Sequence, residues 1–293
     1  MQLLTPTKFP DYELIDCGNF EKLERFGEYI TIRPEPQAVW DAAMSEDEWE
    51  RLAHVRFVAK SSSSGTWKKL KNMPDRWQIG YPLKGKKSQL SFRLALTAFK
   101  HVGVFPEQAV NWDYIEEKVS SLSAKMDGNQ PKVLNLFAYT GGASLAAKAA
   151  GGDVTHLDSV RQVVSWSRDN MELSGLDHIR WVVEDAMLFV EREVKRGKKY
   201  NGIILDPPAY GHGTDGRKWK LEEQITEMMH LVKRLLADDC FLVLNTYSLG
   251  FSSLIIDNLL KGEKKLDTGE LYLQASTGFK LPLGVFGRLA RGC

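Results

Sequence analysis

Cysteine is scarce in this chain: Cys17, Cys240 and Cys293 stand far apart among 293 residues. Three scattered thiols cannot build a disulfide framework or a cysteine-rich metal site, so no metal is expected and a reducing, cytoplasmic setting is the default expectation. No apolar run approaches the roughly 18 residues of a membrane-crossing helix. The opening MQLLTPTKFPDYE has no basic stretch followed by an apolar core, so no signal peptide is expected. There is no internal repeat, and low complexity is confined to Ser61-Ser62-Ser63-Ser64. What remains is an ordinary globular composition, 43% hydrophobic and 26% charged, long enough for two domains.

A net charge of +1 hides an asymmetry. Between Asp11 and Glu50 only Lys22, Arg25 and Arg33 face twelve carboxylates. From Lys60 to Lys100 the sign reverses: Lys60, Lys68, Lys69, Lys71, Arg76, Lys84, Lys86, Lys87, Arg93 and Lys100 face Asp75 alone. Trp67, Trp77, Tyr81 and Phe92 are interleaved with these cations. Cations beside aromatics form the footprint of a nucleic-acid partner, the first neutralising phosphate and the second stacking on bases. A solvated sheet face with its aromatics turned into a core gives the same pattern, and both readings stay open on the residues alone.

The chain is organised around Lys132 to Asp158. Val133, Leu134, Leu136 and Phe137 read as a strand buried on both faces. Tyr139-Thr140-Gly141-Gly142 breaks it, Ala143 to Ala150 is rich in helix formers, and Asp153 to Leu157 reads as a second strand ending on Asp158. Strand, glycine turn, helix, strand and acid make half of a nucleotide-binding sheet. Gly141 lets backbone approach a ligand, and Asp158, with Ser159 beside it, can accept ribose hydroxyls. The G-x-G-x-x-G of a dinucleotide fold is absent.

The alternation continues, with helices over Val160–Leu173, Ala186–Lys195, Glu222–Leu236 and Phe251–Leu260. Strands are expected over Ile179–Glu184, Tyr200–Leu205, Cys240–Asn245, Glu270–Ala275 and Gly284–Leu289. The expected fold is α/β, a Rossmann-like, seven-stranded, mostly parallel sheet with helices on both faces. Residues 1–110, with period-two stretches such as Tyr12–Asp16 and Tyr29–Arg33, read as a small mostly-β domain before a catalytic domain at 111–293. Ser45 and Glu48 have the spacing of a capping box. Gly141, Asp158, Asp185 and Asp206 all fall at the carboxyl ends of strands, where open α/β sheets bind ligands. Asp185, followed by Ala186, is equally placed to cap a helix.

Asp206-Pro207-Pro208-Ala209-Tyr210 is the sharpest signal. Pro207 cannot continue a central strand, so the chain leaves the sheet at Asp206, and two prolines fix where the carboxylate points.

Asn135-Leu-Phe137-Ala138-Tyr139-Thr140-Gly141-Gly resembles motif I of class I S-adenosylmethionine methyltransferases, and within them the bacterial large-subunit rRNA methyltransferases that read D-L-F-x-Y-T-G-G. Asn135 stands where that family has Asp. The resemblance implies S-adenosylmethionine as cofactor, held by Asn135, Phe137, Ala138, Tyr139, Thr140, Gly141, Asp158, Ser159, Asp206 and, at the adenine, Asp185 and Ala186. It also implies that the segment around Gly103-Val104-Phe105-Pro106-Glu107-Gln108 covers the cofactor, with Gln108 in contact. Asp206-Pro207-Pro208-Ala209-Tyr210 is similar to the Asp/Asn-Pro-Pro-aromatic motif of amino-directed nucleic-acid methyltransferases. There the polar groups, Asp206 here, accept hydrogen bonds from an amino group, and the aromatic, Tyr210 here, stacks on an extruded base.

Methylation at cytosine carbon 5 needs an attacking thiolate. Family members with that activity carry Thr-Cys-Ser after the fifth strand, where this chain has Thr246-Tyr247-Ser248. A nitrogen acceptor therefore fits better, and Cys240 reads as core. The expectation is a methyltransferase acting on RNA, with ribosomal RNA favoured. The alternatives are a protein or small-molecule acceptor, an NAD(P)-dependent oxidoreductase, and a non-catalytic RNA-binding protein.

Overall fold

A computed structural model describes residues 1–61, 64–83, 89–212, 216–247, 250–263 and 265–293. The chain forms two compact units, and their division is not a single cut. The larger holds residues 1–4, 110–271 and 284–293, and the smaller holds 5–109 and 272–283.

In chain order, β1 (Gln2–Leu4) belongs to the larger unit. The smaller unit then takes β2 (Tyr12–Gly18), β3 (Glu21–Phe26), β4 (Tyr29–Pro34), α1 (Glu46–Leu52), β5 (Val55–Ala59), β6 (Gly65–Lys69), β7 (Arg76–Pro82) and β8 (Gln89–Ala95). Strands β2 to β6 form one sheet in sequence order, and β7 and β8 pair as a hairpin. Ser45 and Glu48 cap α1 reciprocally, with the Ser45 N–H donating to Glu48 Oε2 at 2.8 Å. Strand β3 escapes a period-two reading because its charges point inward. Glu24 is fully buried between Arg33, at 2.6 Å, and the Tyr12 hydroxyl, at 2.9 Å, while Lys22 reaches Glu35 at 3.2 Å. Buried charges persist only when paired in this way.

The aromatics of the basic stretch also point inward. Trp77, Tyr81 and Phe92 are core residues. Trp67 is half-buried, packs edge-on to Phe57 and donates its indole N–H to the Thr97 carbonyl at 2.8 Å. Of the two readings the residues leave open, the inward one holds for Trp77, Tyr81 and Phe92: alternation along β7 and β8 sends these rings to the core and polar groups to water. Lys60, Lys68, Lys69, Lys71 and Arg76 are exposed, and Lys69 pairs with Asp75 at 2.7 Å. Lys84, Lys86 and Lys87 lie outside the described residues.

After β1 the larger unit resumes with α2 (Ala109–Ser123), whose first residue falls in the smaller unit. It continues through β9 (Lys132–Leu136), α3 (Gly142–Ala149), β10 (Asp153–Asp158), α4 (Arg161–Leu173), β11 (Arg180–Val183), α5 (Ala186–Lys195) and β12 (Tyr200–Leu205). Then come β13 (Tyr210–His212), β14 (Lys218–Lys220), α6 (Leu221–Leu235), β15 (Leu236–Thr246), α7 (Ser253–Leu259), β16 (Leu266–Gln274) and β17 (Lys280–Arg291), residues 272–274 of β16 and 280–283 of β17 falling in the smaller unit. The sheet order is β1-β16-β17-β15-β12-β9-β10-β11, mostly parallel, with β17 antiparallel to β15. This is the expected α/β sheet with one strand more than the seven anticipated. Gln2–Leu4 pairs in parallel with Gly269–Leu271 at the edge, and three residues are too few to show a period. Helices α5 and α6 bury Phe189, Val190, Met228, Met229 and Val232 against one face of the strands. No described helix is long and apolar enough to cross a membrane.

The chain runs from β9 outward through β10 to β11, then crosses back to β12 on the other side of β9. That reversal opens a crevice at the carboxyl ends of β9 and β12. Register aligns the strand ends there: Leu244 pairs with Leu205, Leu205 with Leu136, and Leu136 with Leu157. One residue further along the four strands come Asn245, Asp206, Phe137 and Asp158.

Candidate functional site

The loop after β9 has an unusual backbone. Phe137 (φ 56°), Tyr139 (φ 50°) and Gly141 (φ 95°) are all left-handed, although only the last is glycine. Each non-glycine residue in that region costs roughly 1–2 kcal/mol, so the loop must be held from outside. The Ala138 N–H donates to the Leu157 carbonyl at 3.0 Å, and the Tyr139 N–H donates to Asp158 Oδ2 at 3.0 Å. From α4, Ser167 donates its hydroxyl to the Tyr139 carbonyl at 2.6 Å, and Asn170 donates its amide to the Thr140 carbonyl at 3.0 Å. Tyr139 is thus fixed at both its N–H and its C=O. Gly142 is required for packing: a Cβ there would lie 2.6 Å from the Trp112 indole, which covers the start of α3.

Asp158, at the tip of β10, takes the Tyr139 N–H on one oxygen and the Val160 N–H on the other, at 2.9 Å. Burial raises its pKa, and the backbone N–H groups of Val160, Tyr139 and Ser159 oppose that shift. A carboxylate offers about four lone-pair sites, so with these three N–H groups bound it keeps acceptor capacity for a ribose hydroxyl. Asp185 caps α5, one oxygen accepting the Leu188 N–H at 3.1 Å, with Ala186 buried behind it. Gln108 closes a 3₁₀ turn, Pro106–Gln108, in the smaller unit.

Asp206 follows β12, and the Asn245 side-chain amide donates to its Oδ1 at 3.0 Å. Burial pushes the Asp206 carboxyl up to about 6, and the Asn245 bond works against that rise. Pro207 is buried, while Pro208 bridges to Tyr247 and presents its carbonyl to the Trp219 indole N–H at 2.7 Å. The chain then makes a hairpin of β13 and β14, with Tyr210 opposite Lys220 and Gly211 opposite Trp219. Tyr210 is 49% exposed, so its ring is presented to solvent from a backbone fixed by pairing. Trp219 is buried and its ring lies 4.9 Å from that of Phe137, tying the hairpin to the loop after β9.

The larger unit therefore brings together Asn135, Phe137, Ala138, Tyr139, Thr140, Gly141, Asp158 and Ser159 on one side of the crevice and Asp206 to Tyr210 on the other. Sequence reasoning missed Asn245 and Trp219. Asn245 has a legible signal, a polar residue ending an apolar strand next to the Asp206 strand. Trp219 has none, because its partners Phe137 and Pro208 lie 82 and 11 residues away. Of Thr246-Tyr247-Ser248, Thr246 is buried and Tyr247 is 39% exposed, while Ser248 lies outside the described residues.

A family model described as S-adenosylmethionine-dependent methyltransferase matches residues 35–261. A crystal structure of the SAM-dependent methyltransferase from Agrobacterium tumefaciens is 35% identical. It superposes with a TM-score of 0.89 over 99% of this chain and 93% of that one. A putative methyltransferase complexed with SAH, 14% identical, superposes with a TM-score of 0.73 over 97% of this chain and 76% of its own, a likeness of fold. Ribosomal RNA large subunit methyltransferase I of Klebsiella pneumoniae (strain 342) is 31% identical over 100 residues, 33% of this chain. That match spans a quarter of the relative's length.

Proposed function

We propose that this chain, which belongs to the S-adenosylmethionine-dependent methyltransferases, methylates a nitrogen on a base of RNA, ribosomal RNA being favoured. The observation that carries the nitrogen reading is the Asn245–Asp206 pair at the crevice, a carboxylate held in place one strand from the loop after β9. The residues there fit the cofactor. Asp158 keeps acceptor capacity for the ribose, the loop from Phe137 to Gly141 brings backbone to the strand ends, and Asp185 with Ala186 borders the next strand end for the adenine. In this reading Asn135 supports the loop from beneath and Ser159 lies beside the ribose acid.

S-adenosylmethionine supplies an electrophilic methyl on a sulfonium, so the protein's task is positioning rather than covalent catalysis. Asp206 accepts a hydrogen bond from the acceptor's N–H and aims its lone pair. As the nitrogen gains carbon and positive charge, the ionised carboxylate stabilises that charge and can take the departing proton. Pro207 and Pro208 keep the carboxylate from turning away, and Tyr210 offers a face on which a base can stack. No thiol takes part: Cys240 sits six residues before the site end of β15, about 20 Å away at roughly 3.3 Å per residue.

The Klebsiella relative's name supports ribosomal RNA, and the exposed cations of the smaller unit support a polyanion. The inward packing of Trp77, Tyr81 and Phe92 favours a second reading, a protein or small-molecule acceptor. The deciding experiment supplies labelled S-adenosylmethionine and enzyme to RNA from cells lacking the protein, then maps the labelled nucleotide. Label on a base nitrogen is expected. Label on cytosine carbon 5 overturns the nitrogen reading, and label in the protein or small-molecule fraction alone overturns RNA.

A further inference from the structure

Beneath the loop after β9 lies a polar chain in which each bond fixes the next. Asn135, on β9 and 2% exposed, donates its amide to Ser144 Oγ at 2.9 Å. Ser144 Oγ lies 3.0 Å from His156 Nδ1, and His156 Nε2 lies 3.3 Å from Ser167 Oγ. Ser167 in turn makes the 2.6 Å bond to the Tyr139 carbonyl. Ser144, His156 and Ser167 are fully buried, on α3, β10 and α4.

The donors order themselves. Having accepted from Asn135, Ser144 has its own proton to give, and His156 Nδ1 must receive it. The imidazole proton then sits on Nε2, between Ser167 Oγ and the Tyr139 carbonyl, and the Ser167 hydroxyl, which also reaches the Val163 carbonyl at 3.1 Å, makes its shorter bond, 2.6 Å, to Tyr139. Burial holds His156 down to about 3, so the ring is neutral, as a ring that both accepts and donates must be. Trp181 packs across it at 4.9 Å. The loop rests on this chain: a Cβ at Gly141 would meet Ser167 Cβ at 3.3 Å and His156 Cε1 at 3.7 Å.

We propose that Asn135, Ser144, His156 and Ser167 are positioning residues that preset the left-handed loop through the Tyr139 carbonyl and so set affinity for S-adenosylmethionine without touching it. This rests on reading that loop as the cofactor site. A free loop would relax from its strained conformation and pay the ordering cost on binding, whereas a held loop has already paid it. The departure at Asn135 then acquires a meaning. An Asp there would be an acceptor only. It would draw the Ser144 proton to itself, push the imidazole proton to Nδ1, and leave Nε2 competing with Tyr139 for the Ser167 proton.

The test is titration of the full chain with S-adenosylmethionine by calorimetry, alongside ligand-free melting and ¹⁵N NMR of His156. Ser144→Ala, three hydrogen bonds along the chain from the Tyr139 carbonyl, should weaken binding roughly tenfold, the worth of one hydrogen bond passed on to the loop. Asn135→Asp should move the His156 proton from Nε2 to Nδ1. Asp158→Ala serves as the control on the site itself. If Asp158→Ala weakens binding while folded Ser144→Ala and Ser167→Ala bind as wild type, the four residues are structural and the proposal is wrong, with the cofactor site intact. A wild-type His156 carrying its proton on Nδ1 also overturns it. If wild type itself does not bind, the site reading fails and takes the proposal with it. Should Ser144→Ala not fold, Ser167→Ala, which removes one hydroxyl and adds no volume, carries the same comparison.

Discussion

The Asn245 amide reaches Asp206 Oδ1 at 3.0 Å across two paired strands, and this contact fixes the one carboxylate that ends β12. The arrangement has a cost, since the Asn245 Oδ1 atom is buried without a hydrogen-bond partner among the described residues. A buried polar atom without a partner costs roughly 1–3 kcal/mol.

Turnover should rise with pH through about 6, because burial pushes the Asp206 carboxyl to that value and only its ionised form accepts the N–H of the acceptor. Asp206→Asn should remove this limb while keeping a fraction of the rate through the amide carbonyl. Rates on the mapped RNA between pH 5 and 8 decide it, and an unchanged limb in the variant assigns the titration to another group.

Trp219→Phe should keep the ring against Phe137 and lose the 2.7 Å bond to the Pro208 carbonyl. The expected stability loss is about 1 kcal/mol by denaturant unfolding. The expected fall in turnover is larger than the change in S-adenosylmethionine affinity, since the lost bond belongs to the Asp206–Tyr210 side. Equal losses in both would make Trp219 a packing residue only.

Cys240→Ser should leave the specific activity of the folded protein unchanged. The thiol is fully buried and burial raises its pKa, which disfavours a thiolate nucleophile. A covalent adduct between wild type and 5-fluorocytosine RNA, lost in the serine variant, would contradict this.

S-adenosylmethionine at 100 times its dissociation constant should add about 2.7 kcal/mol to stability, a shift readily seen in a melting scan. Asp158→Ala should weaken binding by roughly 1–3 kcal/mol. Absence of any shift at millimolar ligand would remove the crevice from consideration as the cofactor site.

Acid should destabilise the fold below pH 6.5. His156 is held down to about 3 in the native state, so between those values the unfolded chain binds a proton the folded one refuses, and stability falls as pH falls. At pH 5 the loss is roughly 2 kcal/mol. Asp206 acts with the opposite sign: its folded pKa is raised, so its effect is a loss of stability as pH rises from about 4 to about 6. Urea unfolding of wild type and Asp206→Asn across pH 4 to 7 separates the two, the variant showing the steeper decline with acid.

By itself the sequence determined the alternation of strands and helices and the strand-end positions of Gly141, Asp158, Asp185 and Asp206. These are local facts, because periodicity and a proline pair act on the residues that carry them. Only the tertiary structure decided what lies beside those ends. The eighth strand, Gln2–Leu4, is specified by Gly269–Leu271 at the far end of the chain. Asn245 and Trp219 become site residues through register and packing, and the basic stretch's aromatics turn inward because β7 and β8 need a core. Along the sequence Asn135 is one departure from a motif, and its meaning depends on Ser144, His156 and Ser167 from three other elements. A hydrogen-bond chain is a property of juxtaposition, which no spacing along one strand records.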